Sequence, residues 1–340
     1  MRHVNIPIFI PHLGCPNQCI FCNQKYISGT QNFSESDVDE QINKVLSTVT
    51  GEDECEIAFF GGSFTGIDRA LMIRLLDKAQ GYIDKGLVKS IRMSTRPDYI
   101  TEEIIEILKN YTISFVELGI QTMNDDVLRL LKRGHTASDT IKATELLLKS
   151  GIRFVGQMMI GLPGSFPKDE QYCAEMICKL GASGSRIYPT LVFKNTELEK
   201  MTIINDYRPL DLDEAVERSA RVLEIFEKNQ VKCIRIGLCD SDNLHSDETY
   251  VAGPNSPSIG EMVKSRLFYN VICSEIVNKK FSSLLIYCPK GVKSQIIGHK
   301  RQNIISLKNR FSINEIIVIE SDKLKNYNLI LKEKEENPCV

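Results

Sequence analysis

Cys15, Cys19 and Cys22 stand in the run Cys-Pro-Asn-Gln-Cys-Ile-Phe-Cys, a C-x3-C-x2-C loop with an aromatic residue, Phe21, just before the last cysteine. Cysteine thiolates hold iron–sulfur clusters, and four are the usual complement. This run supplies three. A four-iron cluster held by three cysteines keeps one iron open to another molecule. Two other uses of the cysteines weigh less. Zinc usually takes four closed ligands, and the chain has no second Cys-x2-Cys or Cys/His pair. A disulfide framework fits a secreted chain, and three cysteines leave one over.

Other candidate residues fall at the ends of apolar runs. Gly61-Gly62 follows 56–60, Ser94 to Arg96 closes 88–94, and Gly119 to Gln121 follows 113–119. Gly161-Leu162-Pro163-Gly164 follows 152–160, and Tyr188-Pro189-Thr190 follows 184–188. Glycines after a strand let backbone amides approach a ligand with no Cβ in the way. Arg96 offers planar donors for a carboxylate or a ribose. Glu117 can accept from an amine or hydroxyl, and Gln121 can both donate and accept. Taken singly, each has a plainer reading, as a turn or a surface ion pair. Their common place, at the carboxyl ends of strands, is what singles them out.

These residues need elements to position them. The apolar runs 4–10, 56–60, 88–94, 113–119, 152–160 and 184–188 read as strands, with 231–237 as a seventh. Helical patterns lie between them, over about 34–49, 68–84, 101–109, 124–132, 137–150, 168–180 and 211–229. Ser34, with Asp37 three residues on, reads as the first helix start, and Thr101 as another. Short strands alternating with amphipathic helices predict β/α units around a parallel sheet. Such sheets and barrels carry their working loops at the strands' carboxyl ends.

Bulk properties set bounds. A length of 340 residues suggests a large domain plus a smaller one. The chain is 42% hydrophobic and 25% charged, ordinary for a soluble globular protein. No apolar run approaches the ~18 residues of a membrane span. Met1-Arg2-His3-Val4 leads directly into a strand, so no leader is expected. Eleven cysteines without an export signal predict a cytoplasmic, reducing compartment. Cys55, Cys173, Cys178, Cys233, Cys239, Cys273, Cys288 and Cys339 mostly read as small buried hydrophobes.

With these residues in hand, 5–260 resembles the radical S-adenosylmethionine superfamily, in particular the branch around the Elongator catalytic subunit. The matching segments are the cysteine loop, Gly61-Gly62-Ser63-Phe64, Ser94-Thr95-Arg96-Pro97-Asp98, Val116-Glu117-Leu118-Gly119-Ile120-Gln121-Thr122, Arg133-Gly134-His135-Thr136, Gly161-Leu162-Pro163-Gly164 and Ile187-Tyr188-Pro189-Thr190. The resemblance implies a partial (β/α)6-type barrel. It implies a [4Fe-4S] cluster on Cys15, Cys19 and Cys22 whose open iron binds S-adenosylmethionine, cleaved to a 5'-deoxyadenosyl radical. It implies cofactor contacts from Phe21, Gly61, Gly62, Ser63, Ser94, Arg96, Glu117, Gln121 and Gly161, with Tyr188 as the catalytic candidate. An electron donor of flavodoxin or ferredoxin type goes with that chemistry. The Elongator family spaces its first two cysteines further apart and carries an acetyltransferase domain, for which this chain is too short. The oxygen-independent coproporphyrinogen oxidases share the cysteine spacing and the Gly-Leu-Pro-Gly run.

Residues 240–258, rich in Ser, Asp, Asn, Pro and Gly, read as a linker or an ordered site loop. This gives domains of 1–240 and 259–340, joined by 241–258. The second reads as a helix over 259–279, strand 283–288, helix 291–297, the turn Gly298-His299-Lys300-Arg301, helix 302–310, and strands 313–320 and 326–332. From Ile276 to Asn314 there are eight Lys or Arg residues and no Asp or Glu. This order of elements resembles the KH module, whose GXXG loop clamps an RNA backbone. Here Arg301 stands at the fourth position. Lys290, Lys293, Gly298, His299, Lys300, Arg301 and Lys308 are the RNA-binding candidates, and a solvated basic face is the alternative.

Three functions are compatible with these features. One is a radical enzyme that modifies a nucleoside in RNA, with tRNA as the substrate class. Another is a radical enzyme with a small-molecule substrate. The third is a non-catalytic cluster-binding protein. The basic module favours the first over the second, and the full set of rim residues favours an enzyme over the third.

Overall fold

A computed structural model describes residues 3–10, 13–15, 19–24, 26, 33–50, 53–238 and 246–334. Residues 16–18 of the cysteine loop, Cys239, Cys339 and residues 240–245 of the expected linker lie outside them.

Strands β1 (His3–Ile10), β2 (Glu54–Gly61), β3 (Ser90–Thr95), β4 (Ile113–Gln121), β5 (Arg153–Ile160) and β6 (Gly184–Pro189) lie side by side in chain order. A short β7 (Val192–Phe193) follows, and then β8 (Cys233–Ile236) joins the sheet beside β6. All six pairings in this seven-stranded sheet are parallel. The connections carry α1 (Val38–Leu46), α2 (Arg69–Asp84), α3 (Glu102–Leu108), α4 (Asp125–Leu130), α5 (Ala137–Lys149), α6 (Pro167–Lys179), α7 (Glu197–Ile203) and α8 (Leu212–Lys228). Residues alternate across each strand. Ile6, Ile8, Ile57, Ile91, Met93, Val116, Leu118, Phe154, Met158 and Ile187 take the fully buried face and share one core with the helices. The other face is concave. Cζ of Arg186 on β6 lies 6.0 Å from the centroid of the Phe60 ring on β2. Four sheet positions separate those strands, so the sheet curls into the expected half-barrel.

Local sequence fixes where most helices begin. Asp68, Thr101, Asn124, Thr136, Thr196 and Asp211 each accept a hydrogen bond from a backbone amide in the first turn. Ser34 does not cap as expected. Its hydroxyl pairs with that of Ser36 at 2.6 Å, and a 3-10 turn over Glu35–Asp37 precedes α1. The sequence reading also missed α7, whose seven residues bury one apolar side chain, Leu198, too few to show a period. It missed the ribbon of β7 with β9 (Tyr250–Ala252), whose strands of two and three residues are too short to carry an alternation.

Helix α9 (Ile259–Ile276) joins two cores. Ile259, Val263 and Leu267 pack into the half-barrel core. Phe268, Ile272, Cys273 and Ile276 pack into a second core with β10 (Ser283–Pro289), α10 (Lys293–Ile297), α11 (Gln302–Phe311), β11 (Glu315–Ser321) and β12 (Ile330–Glu333). Strand β10 lies between β11, parallel to it, and β12, antiparallel to it. Among the described residues no helix is long and apolar enough to cross a membrane.

Candidate active site

The cysteine loop follows β1 and is fastened from three sides. The Ile20 amide donates to the Leu131 carbonyl at 3.3 Å, and the Leu198 amide at the start of α7 donates to the Ile20 carbonyl at 2.9 Å. The Ser63 amide donates to Leu13 O at 3.2 Å, and the Ser63 hydroxyl lies 3.6 Å from the Cys15 sulfur. Two glycines permit this approach. A Cβ on Gly62 would stand 2.0 Å from the Leu13 oxygen, and one on Gly14 would stand 2.2 Å from the Ser63 oxygen. The Gly-Gly pair after β2 therefore seats the cysteine loop.

Cys19 is buried, while Cys15 and Cys22 are half-buried. Burial first, and then the nearby Cys19 and Cys15, push the Cys22 thiol up to about 12. Iron displaces thiol protons when it binds. Among the described residues no three His, Cys, Asp or Glu side chains are placed to ligate a single metal ion. Three neighbouring thiols on one loop suit a multi-iron group, whose irons cysteine thiolates hold.

Beside the cysteines lies a set of buried cations. Arg133 is 8% exposed and donates from Nη1 to the Cys19 sulfur at 3.4 Å and from Nη2 to the Gly119 carbonyl at 2.7 Å, while its Nε has no partner. Arg96 is 2% exposed, forks onto Asp98 at 2.9 and 2.7 Å, and leaves Nη1 unpartnered. His135 is 3% exposed. Its ring lies beside the Ile120 backbone, but neither nitrogen completes a hydrogen bond. Burial, and then the charges of Arg133 and Arg96, hold its imidazole down at about 3, so it is neutral. Gln121 ends β4 at φ 65°, in the left-handed region, where the register against β5 shifts. Strained backbone of this kind persists where surroundings over-determine it, commonly at ligand sites. Buried donors that the protein leaves unpaired fit a cofactor bearing a carboxylate.

Two expected cofactor contacts are committed elsewhere. Glu117 is 1% exposed; its Oε1 accepts from Arg186 Nη2 at 2.7 Å and its Oε2 from Gln157 Nε2 at 2.7 Å, with Arg92 at 3.6 Å. It is an anchor for buried cations inside the bore, because charges taken out of water pair with each other. The Gly161 amide donates to Glu170 at 2.7 Å, and its carbonyl accepts from the Tyr207 hydroxyl at 2.7 Å. That peptide group is spent on holding the turn after β5. Ser94 and Tyr188 are half-buried on the concave face, and Phe21 packs beside Ile20 and Leu198.

In the carboxy-terminal unit, Lys290 pairs with Asp322 at 2.7 Å and Lys308 donates to the Asn314 carbonyl at 2.7 Å. Lys293, His299, Lys300 and Arg301 are exposed, and no acidic partner meets them among the described residues. Gly298, Lys300 and Arg301 all have positive φ, at 77°, 49° and 63°. Asn303 braces this turn. Its amide donates to the Ser265 carbonyl on α9 at 3.2 Å and to the Gln295 carbonyl at 3.2 Å.

Sequence reasoning did not single out Arg133, His135, Gln157 or Arg186. The first two lie inside the Arg133–Thr136 run, quoted only as a likeness. Arg186 could have been found by alternation, since it shares a strand face with Tyr188.

A curled parallel sheet with three cysteines on its first loop and buried donors left unpaired beside them defines the class of radical S-adenosylmethionine enzymes. Residues 9–176 match the family described as the radical SAM superfamily, and 182–268 match the radical SAM C-terminal domain. The chain is 32% identical over 231 residues to an uncharacterized protein of Methanocaldococcus jannaschii, covering 64% of this chain and 70% of that one. It is 38% identical over 244 residues to the tRNA uridine(34) acetyltransferase of Methanocaldococcus infernus, covering 66% of this chain and 44% of the relative. It therefore spans less than half of that acetyltransferase. The solved archaeal Elp3 of Methanocaldococcus infernus, with an N-terminal deletion, superposes with a TM-score of 0.63 at 23% identity, over 80% of this chain and 63% of that one, and shows the same fold. The chain belongs to the radical SAM superfamily, on its Elongator-like side. The enzymes of that superfamily use a [4Fe-4S] cluster and S-adenosylmethionine.

Proposed function

We propose that this enzyme modifies a nucleoside in RNA, with tRNA as the substrate class. Loaded with its cluster and S-adenosylmethionine, such a site supplies a 5'-deoxyadenosyl radical on reduction by a flavodoxin or ferredoxin. Cys15, Cys19 and Cys22 hold the cluster, on a loop seated against Gly62 and α7. Arg96, Arg133 and Gln121 provide donors for the carboxylate and polar edge of the cofactor. His135, held neutral, can donate or accept one hydrogen bond there without adding charge. Ser94 and Tyr188 face the substrate side, and Tyr188 is the candidate for contact with the reacting nucleoside.

The observation that carries the RNA substrate is the position of the basic turn. Lys293, Lys300 and Arg301 are exposed cations on α10 and the turn after it, with His299 exposed beside them. Asn303 ties that turn to α9, whose first half belongs to the half-barrel core. A phosphate backbone gripped there would be held at a fixed distance from the cysteine rim. The likeness to proteins named for tRNA uridine supports the same substrate class. Acetyl transfer forms no part of this reading. Nucleoside mass spectrometry of total tRNA from cells with and without the gene tests it. One modified nucleoside should vanish with the gene; an unchanged nucleoside profile would sink the RNA substrate.

A further inference from the structure

A closed eight-stranded barrel fills its interior with packed apolar layers. The concave face here is different. Phe9, Phe60, Ser94, Gln157 and Tyr188 point away from the helices and are half-buried. Phe9 and Phe60 form an aromatic wall on the first two strands, with ring centroids 6.3 Å apart. Arg186 approaches this wall from β6, with Cζ 6.0 Å from the Phe60 centroid.

Arg186 is held in place but not saturated. Nη2 donates to Glu117 at 2.7 Å and Nη1 lies 3.4 Å from the Tyr188 hydroxyl. The side chain is about nine-tenths buried, and its Nε has no partner. Gln157 gives its amide N–H to Glu117 at 2.7 Å. Its amide oxygen accepts nothing among the described residues. Glu117 thereby fixes a cationic donor and a neutral acceptor next to each other, beside an aromatic wall.

We propose that this bore reads the base presented for modification. The inference rests on the RNA reading above and assigns the residues that choose the base. Phe60 and Phe9 offer the stacking face, which is tolerant of sequence. Arg186 donates to a keto oxygen, and the Gln157 oxygen accepts from the ring N–H beside it. Uracil and guanine carry that pattern on their pairing edge. Cytosine and adenine present an amino donor beside a ring acceptor and meet the wrong partner on both counts. Glu117 acts as a positioning residue through Arg186 and Gln157.

The test uses the reconstituted full chain with cluster and S-adenosylmethionine, and fluorescein-labelled 12-mers of oligouridine, oligocytidine and an abasic ribose backbone. All three present the same phosphates, so phosphate contacts alone would bind them equally. Anisotropy titrations should show oligouridine binding about tenfold or more tighter than the other two, the scale of one well-made two-point base contact. In Gln157→Leu and, separately, Tyr188→Phe, that preference should shrink to about threefold or less, with affinity for the abasic backbone kept. The Tyr188→Phe change removes one oxygen atom, so it keeps the test alive if Gln157→Leu fails to fold. Salt-sensitive binding of all three oligomers with equal affinity overturns the base-reading bore and leaves the RNA substrate standing. A preference that survives in both variants also overturns it. No binding of any oligomer overturns the RNA reading and this inference with it.

Discussion

Arg133 donates a hydrogen bond to the sulfur of Cys19 at 3.4 Å across 114 residues of sequence. The same guanidinium holds the Gly119 carbonyl at the end of β4. One side chain thus ties the loop after the first strand to the rim of the fourth. With Ile20 bound to Leu131 by backbone hydrogen bonding, the cysteine loop is positioned by α4 and the turn that follows it as much as by its own strand.

The cluster ligands give the first prediction. Anaerobically reconstituted wild-type protein should bind about four irons and show a broad band near about 400 nm. Cys15→Ala, Cys19→Ala and Cys22→Ala should each lose most of the iron. Cys173→Ala should keep it, since that thiol is fully buried against the helices. Stoichiometric zinc without iron or sulfide in the wild type is the contrary result.

Gly119 gives a second test, because it has no room for a methyl group. A Cβ there would stand 2.6 Å from Arg133 Nη2 and 3.1 Å from Gln121 Nε2. Both are ends of flexible side chains, so Gly119→Ala should cost only about 1 kcal/mol in stability, the low end for an inserted methyl. It should push both donors off their positions and weaken S-adenosylmethionine binding at least tenfold by calorimetry. Arg96→Ala and Gln121→Ala should weaken binding too, with the iron content unchanged. Wild-type cofactor affinity in all three variants would falsify the rim assignment.

Glu117 predicts a stability effect. Removing one partner of a buried ion pair leaves the other charge unpaired, at about 3–5 kcal/mol. Glu117→Leu should therefore lower the urea midpoint sharply, because Arg186 loses its buried counter-charge, while Arg92 keeps Glu56 at 3.3 Å. Replacing Glu214 with Leu should do much less, since its partner Arg208 is exposed and its other partner, Arg218, keeps Glu170 at 2.6 Å. Equal midpoints for the two variants would mean that the bore network contributes nothing to the fold.

The basic turn predicts a salt dependence. Binding that releases counterions weakens steeply as salt rises. Lys300→Glu with Arg301→Glu should remove most tRNA binding and flatten that slope in filter-binding titrations. Reductive cleavage of S-adenosylmethionine should continue, because the cysteine loop packs through Ile20 and Phe21 at the half-barrel rim and not in the second core. Unchanged binding with an unchanged slope would make the turn a solvated face only.

The sequence by itself determined the longer strands and helices, because their periods and capping side chains are local. Thr101 starts its helix as read, and the helices expected over 291–297 and 302–310 form over Lys293–Ile297 and Gln302–Phe311. It also placed the cysteines and the glycine and arginine segments on one rim, since a parallel sheet puts all its strand ends together. The tertiary structure decided which of these groups are free. Glu117 and Gly161, expected as cofactor contacts, also bind Arg186, Gln157, Glu170 and Tyr207 within the protein. Arg133 stood only inside a quoted likeness until burial put it against Cys19. Partners of a buried polar group come from strands far apart in the chain. Which pair forms depends on how tightly the sheet curls, and no local pattern encodes that.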